Sequence, residues 1–234
     1  RDVDGALLAR YAVVEKCARN AILVAQNLAG VMLEEYLDIF GSENPLLHRF
    51  RGTQEWFADN QIDLATEPRW TRFYGTFGES PELDTDMARA YVDGFQTSYG
   101  KDEIAVGWGY KSVNAMVKHW PSGGPEEAGR DAHYNYGKYA VYPGGAFETH
   151  LRPFTEGAFK LEGPTGMASA VMPYYTISTG IDPSGKNVGN SYSRYIINDL
   201  LREKYGYDGV VCTDWAITAD NQSIDSFDGK PWGV

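Results

Sequence analysis

The chain has 234 residues, of which 43% are hydrophobic and 14% aromatic, and its formal net charge is −11. A chain of this length and apolar content can bury one sizeable core. The acidic balance argues against nucleic acid and anionic membranes as partners, because both bind basic faces. The most apolar window, residues 21–33, is too short to span a bilayer. We therefore expect no nucleic-acid or membrane partner.

Cysteine and histidine usage predicts neither disulfides nor a metal site. Cys17 and Cys212 cannot form a disulfide framework, and we expect both to be reduced and buried. His48, His133 and His150 show no metal-ligand spacing, so each is expected to be a hydrogen-bonded structural histidine. No glycine cluster matches a phosphate-binding or dinucleotide pattern. The chain starts at residue 1 with Arg rather than Met, which leaves its compartment open.

Residues 1–59 form a helix-rich segment in this prediction, separate from residues 60–234. The stretch 7–40 has few helix breakers and ends at Gly41. Thirty-odd residues is long for one helix of a globular protein, and Asn27 and Gly30 mark a plausible break.

Strands and helices alternate after residue 60. Strands are predicted at 62–65, 113–119, 167–172 and 210–212, and helices at 81–98, 146–159 and 191–205. Long loops, 120–144 and 177–190, follow two of the strands, whereas the returns from helix to strand are short. This asymmetry predicts parallel βα units whose long loops all lie on one face. The expected fold class is therefore α/β, a (β/α)8-like (TIM-type) barrel that is incomplete or atypical at its N-terminus, since such barrels typically have about 250 residues.

Two of the predicted helices begin with capping signals. Ser80 is placed as an N-cap followed by Pro81 at the first helical position. Apolar residues then recur every fourth position, at Leu83, Met87, Tyr91 and Phe95. Ser191 is expected to cap the helix that leads to the last strand.

The segment DGVVCTDW at 208–215 places a carboxylate where an apolar run stops. The run reads as a strand buried on both faces, and Asp214 follows it. In α/β barrels the carboxyl end of a strand carries the chemistry. Asp214 is therefore the first candidate for a reacting group, and Trp215 for an apolar wall beside it.

Four charged or polar residues fall at or just beyond predicted strand ends: Arg72, Lys118, His119 and Asp214. Charged donors bind hydroxyl pairs through strong hydrogen bonds, and a carboxylate can attack or stabilise positive charge. Together the four suit a neutral polyol such as a sugar.

Each of these four residues also has a simpler interpretation. Arg72 could form a surface salt bridge with Glu67 or Glu79. Lys118 and His119 could be a solvated strand end, and Asp214 could be a helix N-cap. The coincidence of four strand-end signals favours one shared pocket.

Several strings of the sequence resemble glycoside hydrolase family 3, the β-glucosidase and β-xylosidase family. They are EPRWTRFYGTFGESPEL at 67–83, VKHWPSGGP at 117–125, AVMPYYT at 170–176 and YDGVVCTDW at 207–215. Their order and spacing agree with the family pattern, and the resemblance covers roughly residues 60–234.

The resemblance implies the N-terminal (β/α)8-like domain of that family and a retaining, exo-acting β-glucosidase reaction. Asp214 would be the nucleophile that forms a covalent aspartyl-glycosyl intermediate on a terminal β-D-glucosyl residue. The resemblance implies that the reaction needs neither a metal nor a cofactor. The implied substrate-binding residues are Arg72, Lys118, His119, Met172, Tyr175 and Trp215. The implied partner is a β-glucoside or oligosaccharide.

The sequence departs from the family pattern at several points. The N-acetylglucosaminidase branch carries an acid/base His and Asp after the KH motif, but here the loop reads PSGGPEEAG, which disfavours that branch. In glucosidases the acid/base Glu comes from a following C-terminal domain, which this chain is expected to lack; Glu126, Glu127 and Glu148 are local alternatives. Thr71 replaces a Gly. The family's upstream aspartate, which binds outer sugar hydroxyls, has no evident counterpart.

Three hypotheses follow from the sequence. The first is a portion of a β-glucosidase that holds the nucleophile and the glycone pocket. The second is a non-catalytic carbohydrate-binding fragment that lacks the acid/base, and the third is a piece that folds only with a partner.

Overall fold

A computed structural model describes residues 57–134, 136–214 and 217. The strands are β1 Phe57–Gln61, β2 Glu103–Ala105, β3 Trp108–Gly109, β4 Asn114–Trp120, β5 Tyr139–Ala140, β6 Ala170–Pro173, β7 Ile177–Ser178 and β8 Val210–Val211. The helices are α1 Pro81–Gln96, α2 Phe147–Arg152 with a π-helical continuation Pro153–Ala158, and α3 Tyr195–Lys204. The predicted helical stretch 7–40, Cys17 and Trp215 lie outside the described residues.

A four-stranded parallel sheet organises the described part of the chain, in the order β1-β4-β6-β8. Its register pairs Ala58 with Ala115 and Val117 with Val171, and β8 adds through the pair Val171 and Val211. Two smaller sheets accompany it, the antiparallel pair β2-β3 and the parallel pair β5-β7. Because helices connect the parallel strands, the architecture is α/β, and the predicted incomplete (β/α)8-like fold is confirmed.

Two strand predictions need correction. The first strand ends at Gln61, so the predicted strand 62–65 is wrong and its apolar residues lie just beyond the strand end. The last strand is not buried on both faces, because Val210 is 63% exposed and Val211 is half-buried. Among the described strands β8 pairs only with β6, which makes it an edge. An apolar run alone cannot distinguish such an edge from a central strand.

Helix α1 begins where the sequence predicts. The Ser80 Oγ accepts a hydrogen bond from the Leu83 backbone N–H at 3.4 Å, and Pro81 occupies the first helical position. The buried face is not the one marked by the four-residue apolar repeat, because Leu83 is 53% exposed. Burial falls on the adjacent face, at Asp84, Thr85, Ala88, Val92 and Gln96.

The other two helices contain wider π-helical turns. After Pro153, which has no N–H to donate, the Phe159 N–H donates to the Phe154 carbonyl, five residues back. In α3 the first turn is capped by Ser193, whose Oγ accepts from the Ile196 N–H at 3.2 Å, so the predicted Ser191 cap is wrong. None of the described helices is long and apolar enough to cross a membrane.

The main core lies between the sheet and the three helices. It contains the sheet residues Val117 and Val171, and helix residues such as Val92, Leu151 and Leu200. The packing of α1 on the π-helical turn is close, because a Cβ on Gly157 would lie 2.7 Å from the Thr85 carbonyl oxygen. The helices therefore hold the strands from behind, and the polar groups collect at the carboxyl ends.

Candidate active site

The carboxyl ends of the four parallel strands bring together the residues that carry polar chemistry. Asp63 follows β1, and Lys118 and His119 are among the last residues of β4. Tyr175 follows β6, and Asp214 follows β8. Because parallel strands end at the same edge of a sheet, residues far apart in sequence converge there.

Asp63 and His119 form a buried hydrogen-bonded pair. Asp63 Oδ2 accepts from His119 Nδ1 at 2.7 Å, and Oδ1 accepts from the backbone N–H groups of His119 and Gly123, at 2.9 and 2.5 Å. Only glycine allows this approach, since a Cβ on Gly123 would lie 2.9 Å from Asp63 Oδ2. Burial raises the pKa of Asp63 to about 6, although both backbone donors lower it.

His119 presents its second ring nitrogen to the site. Burial, together with the positive charges of Lys118 and Arg72, lowers the pKa of His119 well below its ordinary value, so the ring is neutral. With Nδ1–H committed to Asp63, Nε2 is an acceptor. Nε2 is buried and has no hydrogen-bond partner among the described residues. A ligand hydroxyl is the kind of donor that such a nitrogen can accept.

Lys118 and Met172 are neighbours in the sheet register. The two residues pair across β4 and β6, and Lys118 is only 5% exposed. The Lys118–His119 peptide bond is cis. Both predicted residues therefore lie at the strand ends beside His119.

Asp214 is buried and accepts a hydrogen bond from the Tyr175 hydroxyl, which lies 3.0 Å from its Oδ1. The Asp214 backbone carbonyl accepts from the Ile217 N–H at 3.3 Å. Two predicted site residues, from β6 and β8, are thus in direct contact.

Arg72 points into the same site and not to the surface. The alternative salt bridge to Glu67 is wrong, because Glu67 pairs with Arg69, at 2.7 Å between Oε2 and Nη2. The Arg72 Nη1 lies instead 2.7 Å from His133 Nε2. Burial alone would lower the pKa of Arg72, but Tyr174 and the nearby carboxylates, Asp214 among them, raise it. The guanidinium therefore stays positively charged close to Asp214.

Asp131 holds His133 in turn. Its Oδ1 accepts from His133 Nδ1 at 2.6 Å and from the His133 backbone N–H at 2.9 Å, while the Thr71 hydroxyl donates to Oδ2 at 3.0 Å. Burial would raise the pKa of Asp131, but the hydrogen bonds from His133, the charge of a protonated His133 ring and the charge of Arg72 lower it to about 2. Asp131 is therefore an ionised carboxylate at neutral pH.

The two histidine rings lie edge-on to each other, with centroids 6.4 Å apart, and two tyrosine rings pack against them. Tyr174 lies against His119, with ring centroids 4.3 Å apart, and at 5.9 Å from His133. The ring of Tyr175 lies edge-on to His133 at 5.4 Å. This aromatic packing restricts the orientation of both imidazoles.

Of the three glutamates considered as local acid/base groups, Glu126 is buried beside Tyr174 and Asp131, and Glu127 and Glu148 form ion pairs elsewhere. Glu126 is 1% exposed, its Oε1 accepts from the Ala132 N–H at 3.2 Å, and burial raises its pKa well above the ordinary value. Glu127 is exposed and pairs with Arg130. Glu148 lies on α2 and pairs with Lys204 of α3, on the helical side of the sheet.

Sequence reasoning missed three residues of this cluster: Asp63, Asp131 and His133. The sequence predicts Asp63 inside the strand 62–65, whereas β1 ends two residues before it, at Gln61. Its signal was the position four residues before the acidic, proline-containing turn that starts at Glu67. Asp131 and His133 lie in the long loop after β4, where the Asp-x-His spacing was the available signal. His133 is hydrogen-bonded, as expected, but to another candidate site residue.

The described residues contain no group of three or more His, Cys, Asp or Glu side chains that could hold a metal ion. Cys212, also described, is only half-buried, so the prediction that it is buried is wrong. The chemistry that the cluster offers is therefore that of hydrogen-bond donors, one buried neutral imidazole and carboxylates.

Residues 57–228 match the family described as the glycosyl hydrolase family 3 N-terminal domain. The chain is 42% identical over 188 residues to the periplasmic β-glucosidase/β-xylosidase of Dickeya chrysanthemi, with 74% of the chain and 27% of that protein covered. It is 39% identical over 175 residues to β-glucosidase C of Emericella nidulans, with 74% and 26% covered. The chain thus spans about a quarter of the length of these relatives.

Among solved structures, the β-glucosidase from Listeria innocua in complex with glucose matches with a TM-score of 0.55 at 23% sequence identity. The match covers 70% of this chain and 20% of that one, and at this identity it speaks for the fold alone. With the domain match over residues 57–228 and the sequence identity to two curated relatives, the chain belongs to glycosyl hydrolase family 3.

Proposed function

We propose that this chain carries the glycone site of a retaining, exo-acting β-glucosidase. Asp214 would be the nucleophile, and the observation that carries the proposal is its buried carboxylate, bound by the Tyr175 hydroxyl at 3.0 Å and close to the Arg72 cation. A carboxylate that can attack the anomeric carbon is what a covalent glycosyl intermediate requires. The relatives named β-glucosidase support the same substrate class.

In this proposal one terminal β-D-glucosyl residue of a β-glucoside or oligosaccharide occupies the pocket. Arg72 and Lys118 donate hydrogen bonds to its hydroxyls, and His119 Nε2 accepts one. Met172 and Tyr175 line the apolar side, and the family resemblance assigns the same role to Trp215, which lies outside the described residues. Lys118 and His119 are both buried, which supports a site that encloses one terminal sugar over one that lies along a chain interior.

The reaction then proceeds in two displacements at the anomeric carbon. Asp214 attacks that carbon while the bond to the departing oxygen breaks, and an acid/base carboxyl about 5–5.5 Å away donates a proton to that oxygen. Water, deprotonated by the same group, afterwards releases the sugar. None of Glu126, Glu127 and Glu148 is well suited to this role, so we assign it to a glutamate of a further C-terminal domain.

The proposal is tested by trapping the intermediate with an activated 2-deoxy-2-fluoro-β-glucoside. The intact mass should rise by one fluoroglucosyl unit, and peptide mapping should assign the unit to Asp214. The activated leaving group reduces the need for the acid/base, whose assistance is typically worth about 10²–10⁴-fold. Asp214→Asn is the matched control and should remain unlabelled.

The same experiment separates the alternative, a non-catalytic carbohydrate-binding fragment. That fragment would bind glucose in a titration but would give no adduct, and its affinity would be the same in Asp214→Asn. Labelling of a residue other than Asp214 would contradict the assignment of the nucleophile.

A further inference from the structure

The contact between Arg72 and the Asp131–His133 pair has no part in the reaction as proposed above. Three residues from two separate loops form a continuous chain. Asp131 Oδ1 lies 2.6 Å from His133 Nδ1, and Arg72 Nη1 lies 2.7 Å from His133 Nε2, its nearer ring nitrogen, and 3.1 Å from Nδ1. We propose that His133 is a positioning residue, locked by Asp131, that sets the orientation of the Arg72 guanidinium in the sugar pocket. The role of Arg72 in binding sugar hydroxyls rests on the proposed function.

The direction of the hydrogen bonds follows from the chemistry of the partners. A guanidinium has only N–H donors, so His133 Nε2 must accept from Arg72. Asp131 is ionised and accepts only, so His133 Nδ1 must carry the proton. The tautomer with Nδ1–H and an unprotonated Nε2 satisfies the contact with Asp131 and the nearer contact with Arg72.

The same tautomer excludes His133 as the proton donor of the reaction. Its Nε2 faces a cation that does not give up its proton, and its Nδ1 faces Asp131. An Asp–His pair in this loop therefore acts on Arg72 and not on the departing oxygen of the substrate.

Both ends of the chain of contacts are fixed. Asp131 is anchored by the Thr71 hydroxyl and the His133 backbone N–H. On the other side, the Gln61 side-chain amide donates to the Arg72 carbonyl oxygen at 3.2 Å and holds the backbone of Arg72 against the end of β1. Because the Arg72 backbone and one of its Nη atoms are both held, the other N–H groups of the guanidinium point in one direction. A planar guanidinium needs such a fixed orientation to bind hydroxyl groups selectively.

A direct test measures the His133 tautomer. In ¹⁵N NMR of the whole chain labelled at histidine, His133 should show a protonated Nδ1 and an unprotonated Nε2 near neutral pH. A protonated Nε2 would overturn the proposal. Because this measurement needs neither turnover nor sugar, it decides the proposal even if the glucosidase assignment fails.

A double-mutant cycle with glucose as the probe tests the positioning role. His133→Phe keeps a ring against Tyr175 but removes both nitrogens, and should weaken glucose binding by about tenfold, the scale of one lost charge-assisted hydrogen bond. In an Arg72→Met background the same change should alter the affinity by less than about twofold, because the route through Arg72 is gone. His133→Gln, which retains an acceptor and a donor, should restore most of the affinity.

Two results would overturn the positioning role. One is an equal effect of His133→Phe in the Arg72→Met background, which marks a general structural contribution. The other is unchanged affinity in His133→Phe when Arg72→Met does weaken binding. Thermal melts of all four proteins separate loss of fold from loss of affinity. Failure of the wild-type chain to bind glucose or form the Asp214 adduct counts against the proposed function, and the tautomer then decides the role of His133.

Discussion

Two Asp–His pairs border the candidate site, and their hydrogen bonds are nearly equal in length, 2.7 Å for Asp63–His119 and 2.6 Å for Asp131–His133. Their outer nitrogens differ. His119 Nε2 has no hydrogen-bond partner among the described residues, whereas His133 Nε2 contacts Arg72. The same two side chains can therefore prepare an imidazole to meet a ligand or to hold another protein group, depending on what lies beyond it.

The pKa values of the two carboxyl groups are shifted in opposite directions. Asp63 is completely inaccessible, and burial raises its pKa to about 6. Asp131 is also buried, but the hydrogen bonds from His133, the charge of a protonated His133 ring and the charge of Arg72 outweigh burial and lower its pKa to about 2. Burial therefore determines the pKa of Asp63, whereas hydrogen-bond donors and nearby positive charge determine the pKa of Asp131.

The largest expected effect is a loss of stability when the aspartate of a pair is removed. The loss should be greater at the more deeply buried pair, Asp63–His119. Asp63→Ala leaves the Nδ1–H and N–H of His119 and the N–H of Gly123 buried without an acceptor, at about 1–3 kcal/mol each. We expect the free energy of unfolding to fall by more than about 3 kcal/mol in chemical denaturation, or the chain not to fold.

Asp131→Ala is the matched comparison. It also removes three hydrogen bonds, but one donor belongs to exposed Thr71 and two to partly exposed His133, where water can replace the carboxylate. A loss of about 1 kcal/mol is expected. An equal loss in both variants would show that depth does not separate the pairs.

The next effect is the pH dependence of stability, whose sign is opposite for the two carboxyls. The pKa of Asp131 is lowered from 3.8 to about 2, so its contribution, about 2 kcal/mol, is present above pH 4 and lost as the pH falls towards 2. The pKa of Asp63 is raised to about 6, so its contribution is present below pH 3.8 and lost as the pH rises through 6.

Urea unfolding between pH 3 and 7 checks these signs. Asp131→Asn should flatten the loss of stability at the acid end, since the variant has no carboxyl to protonate there. Asp63→Asn should not flatten it. The same acid slope in wild type and Asp131→Asn would contradict the lowered pKa.

Much of this arrangement could be predicted from the sequence, and the remainder could not for identifiable reasons. Helix α1, the position of β4 and the placement of Lys118, His119 and Asp214 at strand ends follow from caps, apolar runs and the family motifs. Asp131 and His133 lie in a long loop whose path is set by tertiary contacts such as that to Arg72. Local sequence does not specify those contacts.

The first and last strands illustrate a second limit. The apolar residues at 62 and 64 are buried beyond the end of β1, and the valines of β8 form an edge, so hydrophobicity did not mark strand boundaries. Burial in both places depends on neighbours that come from other parts of the chain. As a result the sequence predicts Asp63 within a strand, whereas it lies just beyond the carboxyl end of β1.

A smaller effect separates the two histidines by ligand binding. His119→Phe removes the Nε2 acceptor, and glucose affinity should fall by roughly tenfold, the scale of one buried hydrogen bond. Unlike the effect of His133→Phe, this loss should persist in an Arg72→Met background, because His119 is expected to meet the sugar directly. Isothermal titration of the single and double variants measures it. If His119→Phe does not weaken glucose binding further in the Arg72→Met background, His119 would also act through Arg72.

The smallest expected effect concerns Tyr175, which packs against His133 while its hydroxyl binds Asp214. Tyr175→Phe keeps the ring and removes the donor, so the carboxylate loses one orienting contact, and labelling of Asp214 by the fluoroglucoside should slow by about threefold to tenfold. Tyr205→Phe is the control, because it deletes a similar bond, 2.9 Å from its hydroxyl to Glu148, on the helical side. Equal labelling rates in both variants would show that the Tyr175 hydroxyl contributes only stability, and would leave the orientation of Asp214 to the Arg72 side of the site.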